Sequence, residues 1–133
     1  MSARLLFVCQ LNMVRSPIAE GLARSKGYDA VSCGLTPGEE PDELMMAIMR
    51  EVGVDMSAHD PRSLHSVQDE RFDHIIAFSD DTYAAAEAVF GADAPLQLWN
   101  LPMPATGSYD VRAIMDAYRA IRSIISNRLD RLK

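Results

Sequence analysis

Arg4-Leu5-Leu6-Phe7-Val8-Cys9-Gln10-Leu11-Asn12-Met13-Val14-Arg15-Ser16-Pro17 is the stretch on which the reading of this chain turns. Its first five residues form a short apolar run, the pattern of a strand buried on both faces of a parallel sheet. Ser16 then suits a helix cap and Pro17 the first helical position. Ile18, Ala19, Leu22 and Ala23 continue an apolar helix face that Gly27 ends. Between strand and helix lies a loop that begins with a thiol and ends with a guanidinium.

The rest of the chain repeats this alternation. Ala30–Cys33 reads as a second strand. A helix follows from about Asp42, with Met45, Ile48, Met49 and Val52 on one face and Gly53 as its stop. Phe72–Ser79 reads as a third strand, Asp80 or Asp81 as the cap of a helix through Phe90, and Leu96–Trp99 as a fourth strand. A Pro/Gly loop then leads to a last helix, about Tyr109 to Leu132, whose Ile114, Tyr118, Ile121 and Ile125 share a stripe. Alternating strands and helices predict an α/β fold: three layers, a parallel sheet with helices on both faces. In such sheets ligands sit beyond the carboxyl ends of strands, which points to the loop after Val8.

The chain has 133 residues, 48% hydrophobic and 24% charged, with a formal net charge of -6. One domain over residues 1–133 fits that length. The acidic balance argues against nucleic acid or an anionic membrane as partner. No signal peptide or spanning segment is visible, so we expect a cytoplasmic protein whose two cysteines, Cys9 and Cys33, stay reduced. Cys33 reads as a small hydrophobe at a strand end. Arg112, Arg119, Arg122, Arg128 and Arg131 read as the solvated face of the last helix.

A loop entering a helix N-terminus offers unpaired N–H groups and the positive end of the helix dipole. Residues Gln10, Leu11, Asn12, Met13, Val14, Arg15 and Ser16 therefore form a candidate phosphate-binding cradle. Arg15 adds a planar fork matched to two oxygens of an oxyanion. The same surroundings favour the thiolate of Cys9, placed to attack the central atom.

Residues 7 to 20, Phe-Val-Cys-x-x-Asn-x-x-Arg-Ser-Pro-Ile-Ala-Glu, resemble the signature of low-molecular-weight protein tyrosine phosphatases and of the arsenate reductases that share their fold. The resemblance runs on through Val31-Ser32-Cys33-Gly34, through Asp55-Met56-Ser57-Ala58-His59 with Arg62, and through Phe72–Ala77. It ends at Trp99-Asn100-Leu101-Pro102-Met103-Pro104. It implies a four-stranded parallel sheet and a phosphocysteine intermediate, with no metal and no cofactor. The implied substrate is a phosphate monoester or phosphoprotein. It further implies that Asn12, Ser16, Ser32 and His59 support the loop from behind. By itself, without the resemblance, His59 reads as a solvated loop histidine after Ser57.

One departure stands out. Where the family carries an Asp-Pro acid, this chain has Met103-Pro104, and Met103 cannot transfer a proton. Losing a general acid costs about 10²–10⁴ in rate. Asp80, Asp81 and Asp110 are the candidate substitutes, Asp110 first, although each suits a helix cap as well. Trp99 and Tyr83 are candidate walls for a substrate ring, although Trp99, which ends an apolar strand, reads more readily as core. The family's aromatic late-loop wall is replaced here by Met103 and Ala105. Three readings stay open: a phosphatase for phosphotyrosine or small aryl phosphates, an arsenate reductase needing an external thiol, and a phosphate-binding module with weak chemistry.

Overall fold

A computed structural model describes residues 2–101 and 110–132. Met103, Ala105 and the expected start of the last helix at Tyr109 lie outside the described residues.

The order is β1 (Arg4–Cys9), α1 (Arg15–Ser25), β2 (Asp29–Gly34), α2 (Glu43–Arg50), a 3-10 turn (Leu64–Val67), β3 (His74–Ala77), α3 (Asp80–Phe90), β4 (Leu96–Leu98) and α4 (Val111–Arg131). The four strands form one parallel sheet in the order β2-β1-β3-β4. β1 is central, and every residue from Leu5 to Cys9 is buried. β2 lies on one side of β1 and β3 on the other, so the connections diverge at the carboxyl end of β1. That is the switch point where open α/β sheets bind ligands.

The pleat divides the core in two. Leu5, Phe7 and Cys9 face α1, α2 and α4, together with Ile18, Met45, Ile48, Ile121 and Ile125. Leu6, Val8 and Cys33 face the other way, toward Leu64, Val67 and Ala86 of the 3-10 turn and α3. Trp99 belongs to the first face. Its ring packs on Phe7 and Phe78 at centroid distances of 6.2 and 6.4 Å, so it is core and not a substrate wall. No helix among the described residues is long and apolar enough to cross a membrane.

Element ends depart from the sequence reading where side chains compete for the backbone. Ser79, not Asp80 or Asp81, caps α3, because its hydroxyl accepts from Thr82 N while Thr82 Oγ1 accepts from Ser79 N. Ser16 does not cap α1. The helix begins at Arg15 after Val14, and the Ser16 hydroxyl is drawn under the loop instead. Asp42 does cap α2, with Oδ1 accepting from Leu44 N and Met45 N at 2.9 and 3.0 Å. Arg119 and Arg122 are not merely solvated. Both grip Glu51, and Arg122 also donates to Ile48 O at 2.6 Å, tying α4 to α2.

Candidate active site

The loop from Cys9 to Arg15 leaves the end of β1 and turns sharply at Asn12, whose φ of 56° is the only left-handed value outside glycine among the described residues. Asn tolerates that region better than most residues, because its short side chain bonds locally. Here that side chain is fully used. Nδ2 donates to Ser16 Oγ and to Ser32 Oγ, each at 2.9 Å, and Oδ1 accepts from Arg62 N at 2.9 Å. The main-chain oxygen of Asn12 lies 2.8 Å from His59 Nε2, which must carry the hydrogen because a carbonyl only accepts.

A second ring of contacts holds these supports. Ser32 Oγ donates to Glu20 Oε1 at 3.1 Å, and Glu20 Oε2 stands 3.9 Å from His59 Nδ1. Both carboxylate and imidazole are almost wholly buried. The expected supports Asn12, Ser16, Ser32 and His59 thus converge on one turn. Glu20 joins them unforeseen, because it reads in sequence as an ordinary helix residue. Two signals were available: its place one helical turn from Ser16, and its position as the last fixed residue of the signature over residues 7 to 20. Gly34 completes the backing: a Cβ there would stand 2.9 Å from both Asn12 N and Gln10 O.

Inside the turn, Asn12 N donates toward Cys9 Sγ at 3.3 Å, and Ser16 Oγ lies 2.8 Å from the same sulfur. The main-chain N–H groups of Leu11, Met13 and Val14 meet no acceptor among the described residues. They stand at the N-terminus of α1, as an anion cradle requires. Arg15 is 6% exposed. One terminal nitrogen donates to Leu101 O at 2.7 Å, and its buried Nε has no partner among the described residues. Burial pulls this guanidinium below its ordinary value and the charge of Cys9 pulls it back up, yet an arginine keeps its proton in such a site.

Cys9 and Arg15 open into a cavity of about 330 Å³ walled by Leu11, Met13 and Val14. Asp42 and Tyr118 also line it, and the sequence reading assigned neither of them to the site. Asp110, the first candidate acid, is exposed and caps α4 by accepting from Arg112 N at 3.0 Å. Asp80 and Asp81 lie exposed in the first turn of α3, and neither they nor Tyr83 border the cavity. Cys33 is wholly buried on the opposite face of the sheet from Cys9. Burial first, and then the charge of Cys9, push its thiol far above the ordinary value, with Arg62 opposing.

Residues 4–132 match the family model described as low molecular weight phosphotyrosine protein phosphatase. The chain belongs to that family. Members of the family are mostly phosphomonoester hydrolases, with arsenate reductases among them. Wzb of Vibrio vulnificus, solved in complex with benzylphosphonate, shares the fold at 20% identity and a TM-score of 0.78, covering 99% of this chain and 100% of that one. An arsenate reductase of Archaeoglobus fulgidus is 27% identical with a TM-score of 0.76, covering 96% of each chain. A glutaredoxin arsenate reductase of Synechocystis sp. is 31% identical over 77 residues, 56% of this chain. The match spans 58% of that curated relative, less than two thirds of its length. Tyrosine phosphatases, arginine phosphatases and arsenate reductases thus all stand among the low-molecular-weight phosphatase folds this chain resembles.

Proposed function

We propose that this protein is a cysteine-dependent phosphatase acting on protein phosphotyrosine or small aryl phosphate monoesters. The observation that carries the reading is the sulfur of Cys9 in a turn whose N–H groups at Leu11, Met13 and Val14 meet no acceptor among the described residues, with the buried Arg15 beside it. Cys9 thiolate attacks phosphorus, the bond to the leaving oxygen breaks, and that oxygen takes a proton. Water then attacks the phosphocysteine, the sulfur–phosphorus bond breaks, and phosphate leaves with the thiolate restored. Arg15 and the loop N–H groups stabilise the equatorial oxygens in both steps.

With Met103 at the family's acid position, leaving groups that need little protonation react best. Aryl phosphates should therefore far outpace alkyl phosphates, by about 10²-fold or more. The test is phosphate release from p-nitrophenyl phosphate by native protein and by Cys9→Ser. Equal rates sink the reading. Phosphate binding with no turnover of any aryl phosphate would favour a binding role instead.

A second reading, arsenate reduction, is favoured by the Synechocystis relative. Cys9 would displace water from arsenate. A thiol would then attack the Cys9 sulfur, breaking the S–As bond and releasing arsenite as that sulfur is oxidised to a disulfide. Cys33 is sealed on the other sheet face, so the attacking thiol must come from outside, and a second one must reduce the mixed disulfide. Arsenate-dependent oxidation of glutathione with glutaredoxin, abolished by Cys9→Ser, would establish it.

A further inference from the structure

Asp42 and Tyr118 come from the start of α2 and the middle of α4, and the proposed chemistry uses neither. The fold brings both to the wall of the cavity that holds Cys9 and Arg15. Tyr118 Oη donates to Asp42 Oδ2 at 3.1 Å, while Asp42 Oδ1 accepts the two N–H groups that open α2. Three donors from two helices lock this carboxylate in place. Its neighbours in the cavity, Leu11, Met13 and Val14, are apolar, and the one cation among the described lining residues is Arg15 of the cradle. Met13 and Asp42 also border an outer groove of about 540 Å³ edged by Glu39, Glu40 and Glu43. All three are exposed, and none makes an ion pair among the described residues. A ligand seated on the cradle therefore meets cationic and N–H groups around its phosphate, and a fixed anion beside the rest of it.

We propose that Asp42, held by Tyr118, is a specificity-determining residue. It selects phosphate compounds whose organic part is neutral or cationic and rejects those that carry a second anion. The proposal rests on the phosphatase reading for turnover but only on the cradle for binding. A carboxylate against low-dielectric walls acts more strongly on a nearby charge than it would in water. Rejection of the wrong ligand by like charge is an efficient source of discrimination.

The probes are 4-(aminomethyl)benzylphosphonate and 4-carboxybenzylphosphonate, with inorganic phosphate as control, titrated by calorimetry into native protein, Asp42→Asn and Tyr118→Phe. Asn caps helices as well as Asp does, so the first variant removes charge and keeps the cap. Native protein should bind the ammonium probe about tenfold more tightly than the carboxylate probe, a ratio that shrinks as salt rises from about 20 to about 500 mM. Asp42→Asn should bring the ratio within about twofold without weakening phosphate binding, whereas Tyr118→Phe, which keeps the charge, should retain most of it. If Asp42→Asn does not fold, Asp42→Ser carries the same comparison, and the salt dependence of native protein stands independently. A native ratio near one, or a ratio that survives removal of the charge, overturns the proposal. Failure of all three anions to bind overturns the cradle and this proposal with it. Selective binding without turnover of p-nitrophenyl phosphate upholds Asp42 and sinks only the phosphatase reading.

Discussion

The hydroxyl oxygen of Ser16 lies 2.8 Å from the sulfur of Cys9. Asn12 Nδ2 donates to that oxygen, which leaves Ser16 one proton to place. It can point at Cys9 Sγ or, at 3.4 Å, at the main-chain oxygen of Cys33. A thiol can donate to Ser16 and leave the hydroxyl to Cys33, whereas a thiolate can only accept and draws the hydroxyl to itself. The pair is thus built to accommodate either state of the sulfur without moving the loop.

Ser16→Ala should therefore slow alkylation of Cys9 by iodoacetamide at pH 7, and slow aryl phosphate turnover, by about ten- to a hundredfold, the worth of one hydrogen bond to a charged group. Stability should fall by about 1–3 kcal/mol, since one buried proton of Asn12 Nδ2 loses its acceptor while the other keeps Ser32. Alkylation at the native rate would show that the hydroxyl does not act on the sulfur.

Gly34→Ala tests how the loop is backed. The added methyl would press on main-chain atoms of Gln10, Leu11 and Asn12 at 2.9 to 3.0 Å, and backbone cannot swing aside as a flexible side chain can. Overpacking of this kind costs about 1–3 kcal/mol. We expect a lower urea midpoint and a loss of phosphate affinity together, because the atoms displaced are those of the cradle. Reduced stability with phosphate binding intact would separate the two.

Arg15→Lys keeps the charge and removes the fork. Arg15 spends one terminal nitrogen on Leu101 O and still has Nε and its other nitrogen for an anion, whereas a lysine has a single ammonium to share. Phosphate affinity measured by calorimetry should fall by about ten- to a hundredfold. Affinity within twofold of native would show that only the charge matters.

Tyr118→Phe should alter the alkaline limb of stability. Burial, and then the neighbouring Asp42, push the Tyr118 hydroxyl from 10.0 up to about 12. A raised value means that the folded state holds this proton more tightly than the unfolded chain. The resulting stability is whole below about pH 10 and is lost as pH rises to about 12. Urea midpoints at pH 9 and pH 11 should diverge for native protein and diverge less for Tyr118→Phe. The same fall in both would remove Tyr118 as its source.

Much of the fold was legible because its signals are local. An apolar strand followed by a Pro-started helix, and the alternation repeated along the chain, need only neighbouring residues to be read, and β1, α1, α2 and α3 fall where those signals put them. The ends were less legible. β3 is shorter than the apolar run Phe72–Ser79, because Phe72 turns to stack edge-on against Phe90 and Ser79 is claimed by the cap of α3. Ser16 carried a cap signal, but the turn of the loop at Asn12 brings Cys9 and Asn12 to its hydroxyl, which bonds them instead of the helix backbone.

What the amino-acid order determined unaided was the loop, since Cys9, Asn12, Arg15 and Ser16 lie within eight residues and meet in one turn. Only the tertiary structure decided which distant groups meet that loop. Ser32, His59 and the amide of Arg62 reach Asn12 from 20, 47 and 50 residues away. Asp42 and Tyr118 are 76 residues apart and meet only because α2 and α4 pack on the same sheet face. Cys33 follows Cys9 into the adjacent strand yet faces away, because the pleat sends successive side chains to opposite sides and register alone decides which.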